Sequence, residues 1–224
     1  MQLNQLPTLV YTKPGNKERQ ISVANQLDNR RFAHWDFVYG TTDDAGDDRH
    51  GRGRNYTQLV RRDHAAILRD LDPPLLFLED DIKECHWTNE IDPPEESPLV
   101  YLGVIRHGPP RAAAECRKNW TGQTYSYGRL VFQPIDATWC RIGGAWGSHC
   151  MLWLDKNAML TAARLLDVST SACDTVYAWL QAKLYCVTRR LPIWYQADGR
   201  HDRQTGPLLF QNVWPTRPFR SQGD

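Results

Sequence analysis

The chain has 224 residues, 41% of them hydrophobic, and a formal charge of +1 at neutral pH. That length fits one domain, 1–224, able to bury a sizeable core, and the near-zero charge excludes a global electrostatic pull toward nucleic acid or a membrane surface. No stretch approaches the ~18 apolar residues of a bilayer span, and residues 1–5 lack the basic-then-apolar pattern of a secretion signal, so a soluble, cytoplasmic protein is expected.

The six cysteines (85, 116, 140, 150, 173, 186) form no Cys-x-x-Cys pair and no zinc-type spacing with histidine. They are expected to be mostly reduced and buried. Nine Trp and nine Tyr supply core and also the rings that line sugar and base pockets. Basic residues cluster locally at Arg52, Arg54, Arg61 and Arg62, and again at Arg200, Arg203, Arg217 and Arg220.

In chain order, residues 7–12 predict a strand and Pro14-Gly15-Asn16 a turn and helix cap. A helix follows over 17–27. Arg19 opens it directly after the strand, where an α/β nucleotide site keeps a basic residue; an ordinary exposed arginine is the plainer alternative. Residues 34–39 predict a second strand, 40–54 a mobile Gly- and Asp-rich loop, and the segment from Asn55 to Leu71 a helix with a cap-and-Gln start. His64 inside that helix reads as structural. Pro73-Pro74 ends it, and 75–81 reads Leu-Leu-Phe-Leu-Glu-Asp-Asp, an apolar strand running into three carboxylates. Residues 83–96 predict a helix fragment plus loop, 98–104 a strand, and 106–129 a mobile basic and aromatic loop. Further strands are expected at 130–135 and 150–154, the second after Gly143-Gly144-Ala145-Trp146-Gly147-Ser148-His149. Asp155 caps a helix. Ser171 and Asp174 match a capping box on the next helix, short strands fall at 185–188 and 192–196, and an irregular tail occupies 197–224. Strands alternating with helices argue for an α/β fold with a mostly parallel central sheet.

Glu79, Asp80 and Asp81 stand at a strand's carboxyl end, where open α/β sheets bind ligands. Adjacent carboxylates repel one another, and a hard cation such as Mg²⁺ or Mn²⁺, which takes oxygen ligands and also holds phosphate, relieves that repulsion. The bland reading is a solvated strand end.

Three features occur in order: Leu78-Glu79-Asp80-Asp81, the Gly147-Ser148-His149 leading into an apolar strand, and Asp174 at the start of a helix. Together they resemble glycosyltransferase family 25, which contains bacterial lipooligosaccharide and collagen galactosyltransferases. The likeness runs over roughly 7–200. Ser148 stands where the family has Thr, and Asp63, before His64, where it usually has Ser. The resemblance implies a GT-A-like nucleotide-sugar-binding sandwich and a metal-dependent hexosyltransferase, with UDP-hexose as donor. It implies Asp81 and Glu79 as ligands of Mn²⁺ or Mg²⁺, and Glu79, Asp80, Arg19 and His149 as contacts of the nucleotide sugar. It makes Asp174 the general base of an inverting transfer. The expected acceptor is a glycan, as in lipopolysaccharide biosynthesis, or less favourably a hydroxylated nucleobase or polypeptide. Two competing readings use the same acids: a metal-dependent phosphoester hydrolase, which needs further converging ligands, and a non-catalytic nucleotide- or sugar-binding module.

Overall fold

The structure, a computed structural model, describes residues 1–41, 54–104, 117–118, 124–125, 131–145 and 147–196. Strand β1 (Thr8–Thr12) leads into helix α1 (Lys17–Asn29), strand β2 (Trp35–Tyr39), helix α2 (Arg54–Asp70) and strand β3 (Leu75–Glu79). β1 pairs in parallel with β2 on one side and β3 on the other, with Thr8 opposite both Trp35 and Leu76. Parallel neighbours need a crossover, and α1 and α2 supply the two that the sequence spacing predicts.

The chain continues through β4 (Ile82–Glu84), β5 (Leu99–Tyr101), β6 (Arg117–Lys118), β7 (Thr124–Tyr125), β8 (Val131–Pro134), β9 (Trp139–Gly143) and β10 (Cys150–Trp153). Helices α3 (Lys156–Val168) and α4 (Cys173–Gln181) and strands β11 (Cys186–Arg189) and β12 (Trp194–Gln196) complete it. Eight strands form one sheet in the order β2-β1-β3-β10-β5-β11-β9-β8. The sheet is mixed rather than mostly parallel in its pairing. β10 runs antiparallel between β3 and β5, and β9 antiparallel between β11 and β8. The strict strand–helix alternation, which is what signals parallel pairing, ends in the sequence at β3.

The period-2 alternation of each strand sends its side chains to two cores. Tyr11, Phe77, Tyr101, Met151 and Trp153 face α2, α3 and α4; Val10, Leu76, Leu78, Val100 and Leu152 face Val23 and Leu27 of α1. The carboxylate of Asp155 accepts the amide of Ala158 at 2.7 Å, a cap worth about 1 kcal/mol. Cys85, Cys140, Cys150, Cys173 and Cys186 are free thiols, the last four buried.

Residues 83–96 hold no helix. β4 pairs instead with β12, Gln196 opposite Ile82. On the α1 side the Gln26 amide serves β4, donating to the Ile82 carbonyl at 3.1 Å and accepting the Glu84 amide at 2.7 Å. Gly103 makes the β4–β12 arrangement possible. A Cβ there would stand 2.0 Å from the Trp194 carbonyl oxygen, so only glycine lets the end of β5 come this close to β12. The close approach is held by the Ile193 amide on the Leu102 carbonyl at 2.7 Å.

At the outer edge of the sheet, the Phe37 amide of β2 is taken by the neighbouring Asp36 carboxylate at 2.7 Å. The loop expected over 40–54 lies outside the described residues for 42–53. So do most of 106–129, in which only the backbones of β6 and β7 are described, and all of the tail 197–224. No helix among the described residues is long and apolar enough to cross a membrane.

Candidate functional site

β1 and β3 run parallel and side by side, so their carboxyl ends meet the N-terminus of α1. The Asp80 amide bonds the Tyr11 carbonyl at 3.1 Å, extending the ladder one step past β3. The Asp80 side chain is buried at the helix start. Thr12 donates to its Oδ2 at 2.5 Å and Asn16 donates to the same oxygen at 3.0 Å. Asn16 is the cap residue of α1, yet it makes no side-chain bond to that helix; its amide is committed to Asp80. A guanidinium nitrogen of Arg19 lies 3.5 Å from Asp80 Oδ1 and 3.6 Å from Asp81 Oδ2. Asp81 is also buried, and its Oδ2 accepts the Gln196 amide at 2.8 Å. The close approach at Gly103 therefore delivers a residue of β12 to the acidic strand end.

Glu79 points toward a different set of elements. Its backbone amide bonds the His149 carbonyl at 3.0 Å, joining β3 to the residue before β10. Gly144 and Gly147 turn the preceding segment with φ of 68° and 141°, conformations that glycine adopts without strain. The turn presents Ser148, whose Oγ lies 2.5 Å from Glu79 Oε1 and 2.9 Å from Asp174 Oδ1. Asp174 stands in the first turn of α4. The capping box expected with Ser171 as cap does not form: Ala172 is the cap residue, and it makes no side-chain cap bond. The half-buried Asp174 reaches across to Ser148 instead.

The acids act on one another. Burial, then the negative charges of Asp81 and Asp174, hold the Glu79 carboxyl well above the usual carboxylate range; the Ser148 hydrogen bond opposes the rise. The phenol of Tyr56 on α2 is raised by burial and then by the charges of Glu79, Asp80 and Asp81, and the Lys13 ammonium sits 3.7 Å from the centre of its ring. The sequence marks Tyr56 only as part of a helix start, so its place beside the acids was not legible there.

Of the residues singled out in the sequence, the fold brings Arg19, Glu79, Asp80, Asp81 and Asp174 to one end of the sheet. His149 is adjacent through its backbone, but its ring is fully buried and neither ring nitrogen finds a hydrogen-bond partner among the described residues. Burial lowers its pKa to about 3, which keeps it neutral. His64 is likewise buried, its Nδ1 3.0 Å from the Tyr177 hydroxyl. Trp139 is a core residue, 3% exposed. Trp120, Trp146 and the side chain of Tyr125 lie outside the described residues. In the sequence Ser148 and Asp63 stand out only as departures from the family pattern. Asp63 accepts the Tyr11 hydroxyl at 2.9 Å, the Thr41 amide at 2.8 Å and the Thr41 hydroxyl at 2.7 Å.

The site thus has a basic side, Arg19 over Asp80 and Asp81, and an acid–hydroxyl–acid side, Glu79, Ser148 and Asp174. Carboxylate oxygens are the donors a hard divalent cation takes, although no group of three or more His, Cys, Asp or Glu among the described residues is already arranged around a metal-sized centre. Compared with known proteins, the chain matches no family model and no curated sequence.

Proposed function

We propose that the chain is a glycosyltransferase that moves a hexose from a nucleotide sugar, UDP-linked by resemblance, to a hydroxyl of a glycan acceptor with inversion at the anomeric carbon. The observation that carries this reading is the Ser148 hydroxyl between Glu79 and Asp174. It links the acidic strand end to a carboxylate on a separate helix, as a donor side and an acceptor side require.

Asp81, with Glu79, would hold Mn²⁺ or Mg²⁺. The donor set fits, because the mutual repulsion that raises Glu79 is relieved by a divalent cation. When bound, the cation supplies neutralisation of the charge on a departing diphosphate. Asp80, fixed by Thr12 and Asn16, sets the start of α1, whose N-terminal amides favour phosphate. Arg19, its side chain 46% exposed, is free to exchange its contacts with Asp80 and Asp81 for a diphosphate oxygen. Asp174 takes the proton of the acceptor hydroxyl while that oxygen bonds the anomeric carbon and the bond to the diphosphate oxygen breaks. Ser148 orients Asp174 and keeps it apart from Glu79.

The test is a donor screen. The full chain with Mn²⁺ and a panel of nucleotide sugars is followed by thermal stabilisation, since a ligand of the folded state raises apparent stability, and by slow release of nucleoside diphosphate. The expected result is metal-dependent stabilisation by one nucleotide sugar that Asp81→Asn abolishes. Asp174→Asn keeps the binding and loses the release. No response to any nucleotide sugar, with or without metal, overturns the reading.

A further inference from the structure

Asp63 of α2 takes the phenolic proton of Tyr11 on β1 at 2.9 Å, so that face of α2 is turned to β1. Tyr56 lies seven residues earlier on the same helix, about two turns, and therefore on the same face. α2 follows β2 and leads into the parallel β3, so it begins at the carboxyl end of the sheet. Tyr56 thus stands about 10 Å beyond Asp63, over the loop where β1 ends. The contact it makes there is with Lys13, the first residue after β1, whose ammonium lies 3.7 Å from the centre of its ring. The phenol is raised first by burial and then by charges that include Glu79, Asp80 and Asp81, in agreement with that place.

Lys13 is also held at its backbone. Its carbonyl accepts the Asn16 amide at 3.2 Å and the Gln20 side-chain amide at 3.0 Å, and Pro14 after it narrows its backbone choices. Thr12 before it donates to Asp80 at 2.5 Å. The residue is therefore fixed next to the one that holds Asp80. A π face attracts an ammonium through its quadrupole and, unlike a carboxylate, leaves the net charge uncancelled. Arg19 reaches the same acids from α1, 3.5 Å from Asp80 and 3.6 Å from Asp81. α1 packs on the Val10 face of β1, and α2 on the Tyr11 face. The carboxyl end of β1 is thus flanked by one cation on each layer of the fold.

We infer that Lys13 and Arg19 form a two-sided clamp for a diphosphate, with Tyr56 as the residue that positions Lys13. The inference rests on the strand end being the donor site of the proposed transfer. It adds the second cation, its holder and a selectivity. One phosphoryl group meets one cation, whereas two linked phosphoryl groups reach both, so the clamp favours diphosphate over monophosphate.

The experiment titrates inorganic pyrophosphate, and separately inorganic phosphate, into the full chain by calorimetry at constant ionic strength and constant Mg²⁺. The parent is expected to prefer pyrophosphate. Lys13→Met is expected to weaken pyrophosphate at least about tenfold, the scale of a lost charge-assisted bond, and to affect phosphate less. Tyr56→Leu is expected to weaken pyrophosphate about threefold, while Tyr56→Phe keeps the ring and the parent affinity. Adding Tyr56→Leu to Lys13→Met is expected to change nothing further, because Tyr56 acts through Lys13. Melting of each variant without ligand separates lost binding from lost fold. Unchanged pyrophosphate affinity in Lys13→Met overturns the clamp, and so does a Tyr56→Leu effect of the same size in both backgrounds. The donor screen answers the other question. Pyrophosphate bound through Lys13 with no response to any nucleotide sugar sinks the transferase and keeps the clamp. A nucleotide-sugar response that is the same in Lys13→Met and the parent does the reverse.

Discussion

Tyr11 of β1 gives its phenolic proton to Asp63 of α2 across 2.9 Å. The bond fixes α2 against the strand that carries the site. The same carboxylate holds the backbone and hydroxyl of Thr41. Gly40 sits so near the phenol that a Cβ there would be 2.4 Å from its oxygen. Asp63→Ala leaves a buried phenol and an amide without their acceptor, and is expected to lower stability by about 2 kcal/mol. Tyr11→Phe, which leaves Asp63 its two bonds from Thr41, is expected to cost less, about 1 kcal/mol. Urea unfolding of both variants reads the difference, and equal effects would show that the Thr41 contacts carry no weight.

Ser148 has one proton and two carboxylate neighbours. Ser148→Ala removes the hydroxyl that separates Glu79 from Asp174. It is expected to reduce turnover on the screened donor by about 100-fold, the scale of a lost proton-transfer arrangement, with nucleotide binding little changed. Ser148→Thr keeps the hydroxyl and should retain activity. If binding falls as steeply as turnover in Ser148→Ala, the hydroxyl serves the donor and not the base.

His64 bears on stability at acid pH. Burial lowers its pKa from 6.5 to about 4. Between those values the unfolded chain takes up a proton that the folded chain refuses, so stability falls as pH drops through the window. The contribution is about 3 kcal/mol over the full interval. His64→Asn removes the titrating ring and is expected to flatten the slope of unfolding free energy between pH 6.5 and 4 by that amount, whatever it costs at neutral pH. A slope identical to the parent's would mean that His64 is protonated in the fold.

Gly103→Ala places a methyl group against a backbone oxygen that cannot swing away. Overpacking of this kind costs about 1–3 kcal/mol. The strain falls on the β5–β12 approach, and so on the Gln196 contact to Asp81. Metal-dependent donor binding is expected to weaken more than global stability does. Titration of donor with Mn²⁺ against a melting curve separates the two.

The first half of the fold was legible because each element is marked locally. β1, β2 and β3 are apolar runs bounded by Pro, Gly or Asn, and α1 and α2 have the spacing of crossover helices. Beyond β3 the strands expected at 98–104, 130–135, 150–154, 185–188 and 192–196 correspond to β5, β8, β10, β11 and β12, but the order and direction in which they pair were not legible. β4 is a three-residue strand whose partner, β12, comes from far along the chain and whose other side is served by one glutamine; nothing within a window of sequence encodes either. β9, Trp139–Gly143, was not read as a strand, although it makes a local hairpin with β8; its other neighbour, β11, lies far along the chain. At the site, the strand-end acids announce themselves by type and position, while Asp174 entered only through the family resemblance. Ser148, Asp63 and Tyr56 do not, because serine, aspartate and tyrosine near helix and strand ends have ordinary local uses. The Ser171–Asp174 spacing pointed to a cap, but the tertiary contact with Ser148 outcompeted the local one.

The Asp36 carboxylate on the Phe37 amide also bears on whether the β2 edge can pair with another strand. An exposed edge strand recruits other strands through free amide groups, and here one of those groups is already spoken for by a charge that a newcomer would have to displace and leave stranded in the new interface. The aromatic row of Trp35, Phe37 and Tyr39, with ring centres 5.3 Å and 6.2 Å apart, would otherwise make β2 an inviting template for fibrous growth. One acidic side chain, far from the chemistry, helps the sheet to end where it does.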